Sequence, residues 1–187
     1  MTTVTRILVL CTANLCRSVM AEALLSAHLS VRGVSVPVSS AGVASTFPAQ
    51  PASPEVVAVM AAWGQDVTRH RSRTLTRDDI AGADLIVGMA RDHVRHAVVL
   101  LPDAWQRTFT LRELVRRGSQ AGVRGPGEPL WAWLARIGAD RDRQGLLGRS
   151  PVDDVADPAG GPTWGYEATA VLLDQLTHEL VALCWPR

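Results

Sequence analysis

Cys11-Thr12-Ala13-Asn14-Leu15-Cys16-Arg17-Ser18 is the stretch of this chain best equipped for chemistry. It follows the apolar run Val4 to Leu10 and precedes the helix-like run Val19 to Leu29. A strand, short loop and helix in that order build an anion cradle: loop N–H groups turn inward, and the helix adds the positive end of its dipole. Arg17 can grip two phosphoryl oxygens with its planar fork. Cys11, surrounded by donors at the end of a strand, is placed to ionise and attack. Asn14 tolerates the left-handed backbone that such a loop needs. Together these features point to phosphoryl transfer through sulfur, with Cys11 and Arg17 catalytic and Thr12, Ala13, Asn14, Leu15, Cys16 and Ser18 around the phosphate. C-x5-R followed by Ser or Thr also arises by chance, so its position between strand and helix carries the weight.

The leaving group needs a proton donor. Asp153, Asp154 and Asp157 cluster ahead of a long helical stretch. Each is a candidate donor; Pro158 after Asp157 stiffens a loop that would hang over the site, and Asp153 reads as a solvated residue. Ser18 can donate to the Cys11 thiolate. His93 and His96, three apart, lack a third ligand and read as a solvated helix face, so no metal and no cofactor is expected.

These residues resemble the low-molecular-weight protein tyrosine phosphatases, whose loop reads C-x5-R-[ST] near the N-terminus. Ser39-Ser40-Ala41-Gly42, His70-Arg71-Ser72-Arg73, Ala83-Asp84-Leu85-Ile86-Val87 with Met89, and Asp157-Pro158 match further blocks in the family's order. The resemblance makes Asp157 the preferred acid, with Asp154 the reserve, and implies that Asn14, Ser40 and His70 form a hydrogen-bond network under the loop. It also implies that Cys16 can capture an oxidised Cys11 as a disulfide; the alternative is that Cys16 is a small buried filler. Residues 118–150 have no counterpart in compact members and read as an insertion. Asp157-Pro158-Ala159-Gly160-Gly161 is reminiscent of the branch containing protein arginine phosphatases, whereas Leu15 replaces that branch's loop Thr. The apolar Leu15 favours phosphotyrosine. Phe47 and Trp164 are the candidate aromatic substrate walls.

Composition sets the frame. The 187 residues, 47% hydrophobic, suffice for one core. A net charge of +1 advertises neither nucleic acid nor an anionic membrane as partner. The expected partner is a phosphorylated protein or small phosphomonoester. Three cysteines do not make a disulfide scaffold, which fits a reducing, cytoplasmic setting. Arg6 and Ile7 to Leu10 resemble a signal peptide only superficially.

Alternating strand and helix signals predict a three-layer, flavodoxin-like α/β domain over residues 1–187, with a four-stranded parallel sheet covered on both faces. Strands are expected at Thr5 to Leu10, Val34 to Ser39, Asp84 to Val87 and Arg107 to Thr110. Helices are expected at Ser18 to Val31, from Pro54 to near Gly64, Arg91 to Leu101, Leu111 to Arg117, Leu130 to Ile137 and Thr163 to Cys184. Gly118 to Pro129 reads as a flexible linker, and Trp131 or Trp133 as buried. Two other classes share parts of this pattern. An arsenate reductase would need a shuttle cysteine, and only Cys184 lies outside the loop. A phospho-ligand binding module would have no use for Asp157.

Overall fold

Five apolar residues in succession, Ile7–Cys11, form β1, and all five are buried. Such a run suits a central strand covered on both faces. The computed structural model describes residues 5–44 and 49–187. In it β1 lies between β2 (Val38–Gly42) and β3 (Leu85–Gly88), with β4 (Thr108–Thr110) at the edge. The order is β2-β1-β3-β4 and every pairing is parallel. The predicted doubly wound α/β architecture is thus present.

Alternate residues of β1 serve opposite faces. Ile7, Val9 and Cys11 join the larger core with Leu24 and Leu25 of α1 (Arg17–Val31), Val56 of α2 (Pro54–Ala62), Leu114 of α5 (Leu111–Ala121), Trp133 of α6 (Leu130–Ile137) and Leu173 of α7 (Thr163–Cys184). Leu8 and Leu10 pack on the other face against Ile80 of α3 (Arg77–Ala81) and Ala97 of α4 (Arg91–Leu100). The stripe that α1 buries is Val19, Met20, Leu24, Leu25 and Leu29, while Ala23 and Ala27 are only half-buried.

Three expectations need correction. The second strand begins at Val38, not Val34, because Pro37 has no N–H for the ladder; its carbonyl instead accepts Ile7 N–H at 2.9 Å. Helix α5 runs through Gly118 to Ala121, so the first part of the expected linker is helical. Gly118 is there for contact: a Cβ would come within 2.9 Å of Leu183 and 3.0 Å of Trp133. Trp133 is wholly buried, whereas Trp131 is 73% exposed. Helix α3 went unanticipated because its signal is a capping box, in which Thr76 and Asp79 satisfy each other's backbone N–H. Among the described residues no helix is long and apolar enough to cross a membrane.

Candidate active site

Cys11 ends β1 at the carboxyl edge of the sheet, and Arg17 opens α1. The five residues between them turn back over the strand. Asn14 makes this possible with a left-handed backbone, φ 59°. Gly42 makes room from β2: a Cβ there would lie 2.8 Å from Thr12 O and 2.9 Å from the Ala13 carbonyl carbon.

Under the loop the hydrogen bonds have a fixed direction. The Asn14 amide donates both its hydrogens, to Ser18 Oγ at 3.0 Å and Ser40 Oγ at 2.8 Å. The Ser40 hydroxyl in turn donates a hydrogen bond to Glu22 Oε2 at 2.5 Å. Ser18 Oγ, already accepting from Asn14, is free to donate to Cys11 Sγ at 3.0 Å. The Asn14 N–H adds a second donor to that sulfur at 3.3 Å. His70 Nε2 donates to Asn14 O at 2.8 Å, and the Arg73 N–H to Asn14 Oδ1 at 3.0 Å. The structure therefore brings Asn14, Ser18, Ser40 and His70 together as the sequence suggested. Glu22 was missed. Its signal is a carboxylate one helical turn beyond Ser18, on the same face of α1.

Arg17 is buried, with 7% side-chain exposure. Its Nη1 donates to Val155 O at 3.0 Å. Its Nη2 donates to Asp157 Oδ2 at 2.5 Å and to Thr12 Oγ1 at 3.2 Å. Asp157, 45% exposed, thus meets Arg17 at the mouth of the loop although 140 positions separate them. The loop that carries Asp157 is held by its neighbours. Val155 N–H donates to Met89 O at 2.7 Å, and the carboxylate of Asp154 accepts Arg91 N–H at 2.8 Å and Ser150 N–H at 2.9 Å. Both Asp154 oxygens are committed to backbone, which is a scaffolding role. Asp153 is not a solvated residue: it is buried and paired with Arg91 at 2.7 Å and Arg116 at 2.9 Å.

The histidine pair also departs from expectation. His96 is exposed and caps onto Asp92 O at 2.9 Å, but His93 is buried. Its Nδ1 accepts the Ala90 N–H at 3.0 Å, while its Nε2 faces Thr12 Oγ1 at 3.1 Å. Desolvation, with Arg17 nearby, lowers its pKa to about 3, so the ring is neutral. The clue in the sequence was position: His93 stands three residues after the Ala90 N-cap, where a side-chain acceptor can reach back. Among the described residues no group of three or more His, Cys, Asp or Glu is arranged to hold a metal.

All three cysteines are free and buried. Burial, aided by Asp157 and Cys11, pushes the Cys16 thiol up to about 12, and burial alone pushes the Cys184 thiol up strongly. Cys184 sits in the core on α7, away from the loop. A cleft of about 520 Å³ opens over the site, lined by Thr12, Arg17, His93, Arg149 and Asp157 among others. On the other side of the Asp157 loop, Trp164, 70% exposed, borders an apolar groove with Pro158 and Leu172. Phe47 lies outside the described residues.

A parallel sheet that presents a cysteine, an arginine and a carboxylate around one tight loop defines a cysteine-dependent phosphatase, a hydrolase. Residues 6–129 match the sequence profile of the low molecular weight phosphotyrosine protein phosphatases, and the chain belongs to that family. It is 40% identical over 108 residues to a probable low molecular weight protein-tyrosine-phosphatase, EpsP, of Ralstonia solanacearum, covering 58% of this chain and 71% of that protein. It is 32% identical over 180 residues to a protein-arginine-phosphatase of Geobacillus stearothermophilus, covering 94% and 95% respectively. The structure superposes on a low molecular weight protein tyrosine phosphatase from T. tengcongensis with a TM-score of 0.70 at 31% identity, over 95% and 97% of the two chains.

Proposed function

We propose that this chain hydrolyses phosphotyrosine in proteins through a cysteinyl-phosphate, with Cys11 as nucleophile, Arg17 as phosphate clamp and Asp157 as acid and then base. The observation that carries this is the meeting of Arg17 and Asp157 at 2.5 Å over the loop that ends β1 at Cys11. Asp157 occupies the guanidinium that a phosphoryl group would take. Substrate binding exchanges that carboxylate for phosphate oxygens and frees Asp157 to face the leaving group. Around the phosphate stand Thr12, Ala13, Asn14, Leu15, Cys16 and Ser18, with the first-turn N–H groups of α1, which have no intrahelical acceptors.

Asp157, on leaving Arg17, takes a proton from solvent; the Cys11 sulfur attacks phosphorus, the bond from phosphorus to the tyrosine oxygen breaks, and Asp157 gives that proton to the departing oxygen. Asp157 as carboxylate then takes a proton from water as the water oxygen attacks phosphorus. The S–P bond breaks, releasing phosphate and restoring the thiolate. Ser18 and the Asn14 N–H hold the sulfur throughout. No step calls for a metal or cofactor. In the same reading residues 1–187 form one domain, and the 118–150 insertion contributes Gly148 and Arg149 to the cleft wall. A reducing, cytoplasmic setting belongs to the proposal, supported by three unpaired thiols.

A second reading, phosphoarginine as substrate, is favoured by Gly160-Gly161 and by the name of the Geobacillus relative. Leu15, an apolar side chain in the loop, supports phosphotyrosine. Burial of Cys184 argues against an arsenate-reducing relay. The test is turnover of phosphotyrosine, phosphoarginine and arsenate by the reduced protein under identical conditions with EDTA. Phosphotyrosine is expected to be preferred, and Cys11→Ser to abolish turnover. Asp157→Asn should cost much more on phosphotyrosine than on p-nitrophenyl phosphate, whose leaving group needs no proton. A preference for phosphoarginine would overturn the substrate assignment and leave the cysteine mechanism standing. Turnover by Cys11→Ser would overturn the mechanism.

A further inference from the structure

The Thr12 side chain is held from two sides at the entrance to the loop. Arg17 Nη2 lies 3.2 Å from its hydroxyl oxygen and His93 Nε2 3.1 Å. A guanidinium can only donate. The imidazole is fixed as well: its Nδ1 accepts the backbone N–H of Ala90 at 3.0 Å, so its one proton sits on Nε2 and points at Thr12. Neutrality of this buried ring, with a pKa near 3, keeps that tautomer across the working range of pH. Both neighbours of the hydroxyl are therefore donors. Its oxygen accepts twice, and its own proton is left for the cleft that Thr12, exposed, shares with Arg17 and Asp157.

From this polarity we infer that the Thr12 hydroxyl is a substrate-binding donor, aimed at an oxygen of the bound phosphoester, and that His93 is the positioning residue that aims it. The inference rests on the assignment of Cys11 and Arg17 above. Arg17 leaves Thr12 when it turns to grip the phosphate. His93 stays, because α4 fixes its backbone and the Ala90 N–H fixes its ring. The threonine is thereby kept in one orientation in both the free and the loaded enzyme. Arg17 Nη2 bridges Thr12 and Asp157, which places the hydroxyl on the same side of the pocket as the acid.

The experiment measures kcat and KM on p-nitrophenyl phosphate for the reduced full chain and for Thr12→Val, Thr12→Ser, His93→Gln and the Thr12→Val/His93→Gln double variant. Urea unfolding checks that each is folded. Thr12→Val, matched in shape but lacking the hydroxyl, should lower kcat/KM about tenfold, the scale of one hydrogen bond to a charged group. Thr12→Ser should recover most of that loss relative to Thr12→Val. His93→Gln, whose amide oxygen can still take the Ala90 N–H, should lower kcat/KM several-fold alone and add nothing in the Thr12→Val background. A Thr12→Val enzyme within twofold of the parent overturns the role of the hydroxyl. An equal His93→Gln loss in both backgrounds overturns the positioning role, since a merely structural histidine would act regardless of Thr12. Cys11→Ser is run beside them: its inactivity shows that the underlying mechanism holds even if Thr12 fails, and its activity overturns both.

Discussion

Two cysteines flank one loop, and their surroundings assign them different chemistry. Cys11 has a hydroxyl and a backbone N–H directed at its sulfur. Cys16 is desolvated and feels the negative charge of Asp157 and Cys11, which pushes its thiol up to about 12. The sign is simple: below that value Cys16 carries its proton, and the neutral thiol is a poor nucleophile. Iodoacetamide at pH 7–9 followed by peptide mass spectrometry should therefore leave Cys16 and Cys184 unmodified in the folded protein, and any labelling should fall on Cys11. Labelling of Cys16 at a rate matching Cys11 would show that the loop exposes both. Cys11 and Arg17 stood out as residue types at meaningful spacing, and Asp157 through the resemblance carried by Asp157-Pro158. For His93 the sequence offered only its place three residues after the Ala90 N-cap, which gives no hint of the distant threonine it meets.

At the scale of elements, strands read from apolar runs were found to within a few residues, as β3 shows: expected at Asp84 to Val87, observed at Leu85–Gly88. Errors fell where one residue has two meanings. Gly118 reads as a helix end but serves as a flat spot where α5 meets Trp133 and Leu183. Gly42 lies past Ser39, the expected end of the second strand, but it closes β2 and is the surface on which the 12–16 loop rests. That second role is testable. In Gly42→Ala the new methyl group meets backbone on both sides, 2.8 Å from Thr12 O and 2.9 Å from the Ala13 carbonyl carbon, where no side chain can swing away. The loop must shift, so kcat/KM should fall by about 100-fold, as misplacement near 1 Å does. Stability should drop by about 1–3 kcal/mol, the cost of overpacking. Urea denaturation read alongside turnover separates the two effects; an active Gly42→Ala protein would mean that the loop has slack.

Taken as a whole, the molecule joins its two helical layers at the loop that leads to Asp157. Helix α4 covers the sheet face of Leu8 and Leu10, and α5 covers the opposite one. Arg91 of α4 and Arg116 of α5 converge on the two oxygens of Asp153, four residues before Asp157. The sequence could not reveal this clamp, since it needs three residues from separate segments. Burial works against the carboxylate, yet the hydrogen bonds from Arg116 and Arg91 outweigh it and hold its pKa below the usual 3.8. Asp153→Asn keeps the shape and removes the charge, leaving two arginines around a neutral amide. The loss should be about 2 kcal/mol, less than the ~3–5 kcal/mol for a fully buried pair because Arg116 stays partly open to solvent. The pH dependence gives the sign. A depressed carboxyl contributes its stability in full above its unfolded value near 3.8 and loses it as pH falls through the lower folded value. Parent and variant should thus differ most near neutrality and converge in acid. If the clamp also sets the Asp157 loop, Asp153→Asn should lower kcat more on phosphotyrosine than on p-nitrophenyl phosphate, following Asp157→Asn in direction. An unchanged kcat would confine Asp153 to stability, an equal loss on both substrates would separate it from Asp157, and either would leave Val155 and Asp154 as the ties that hold that loop.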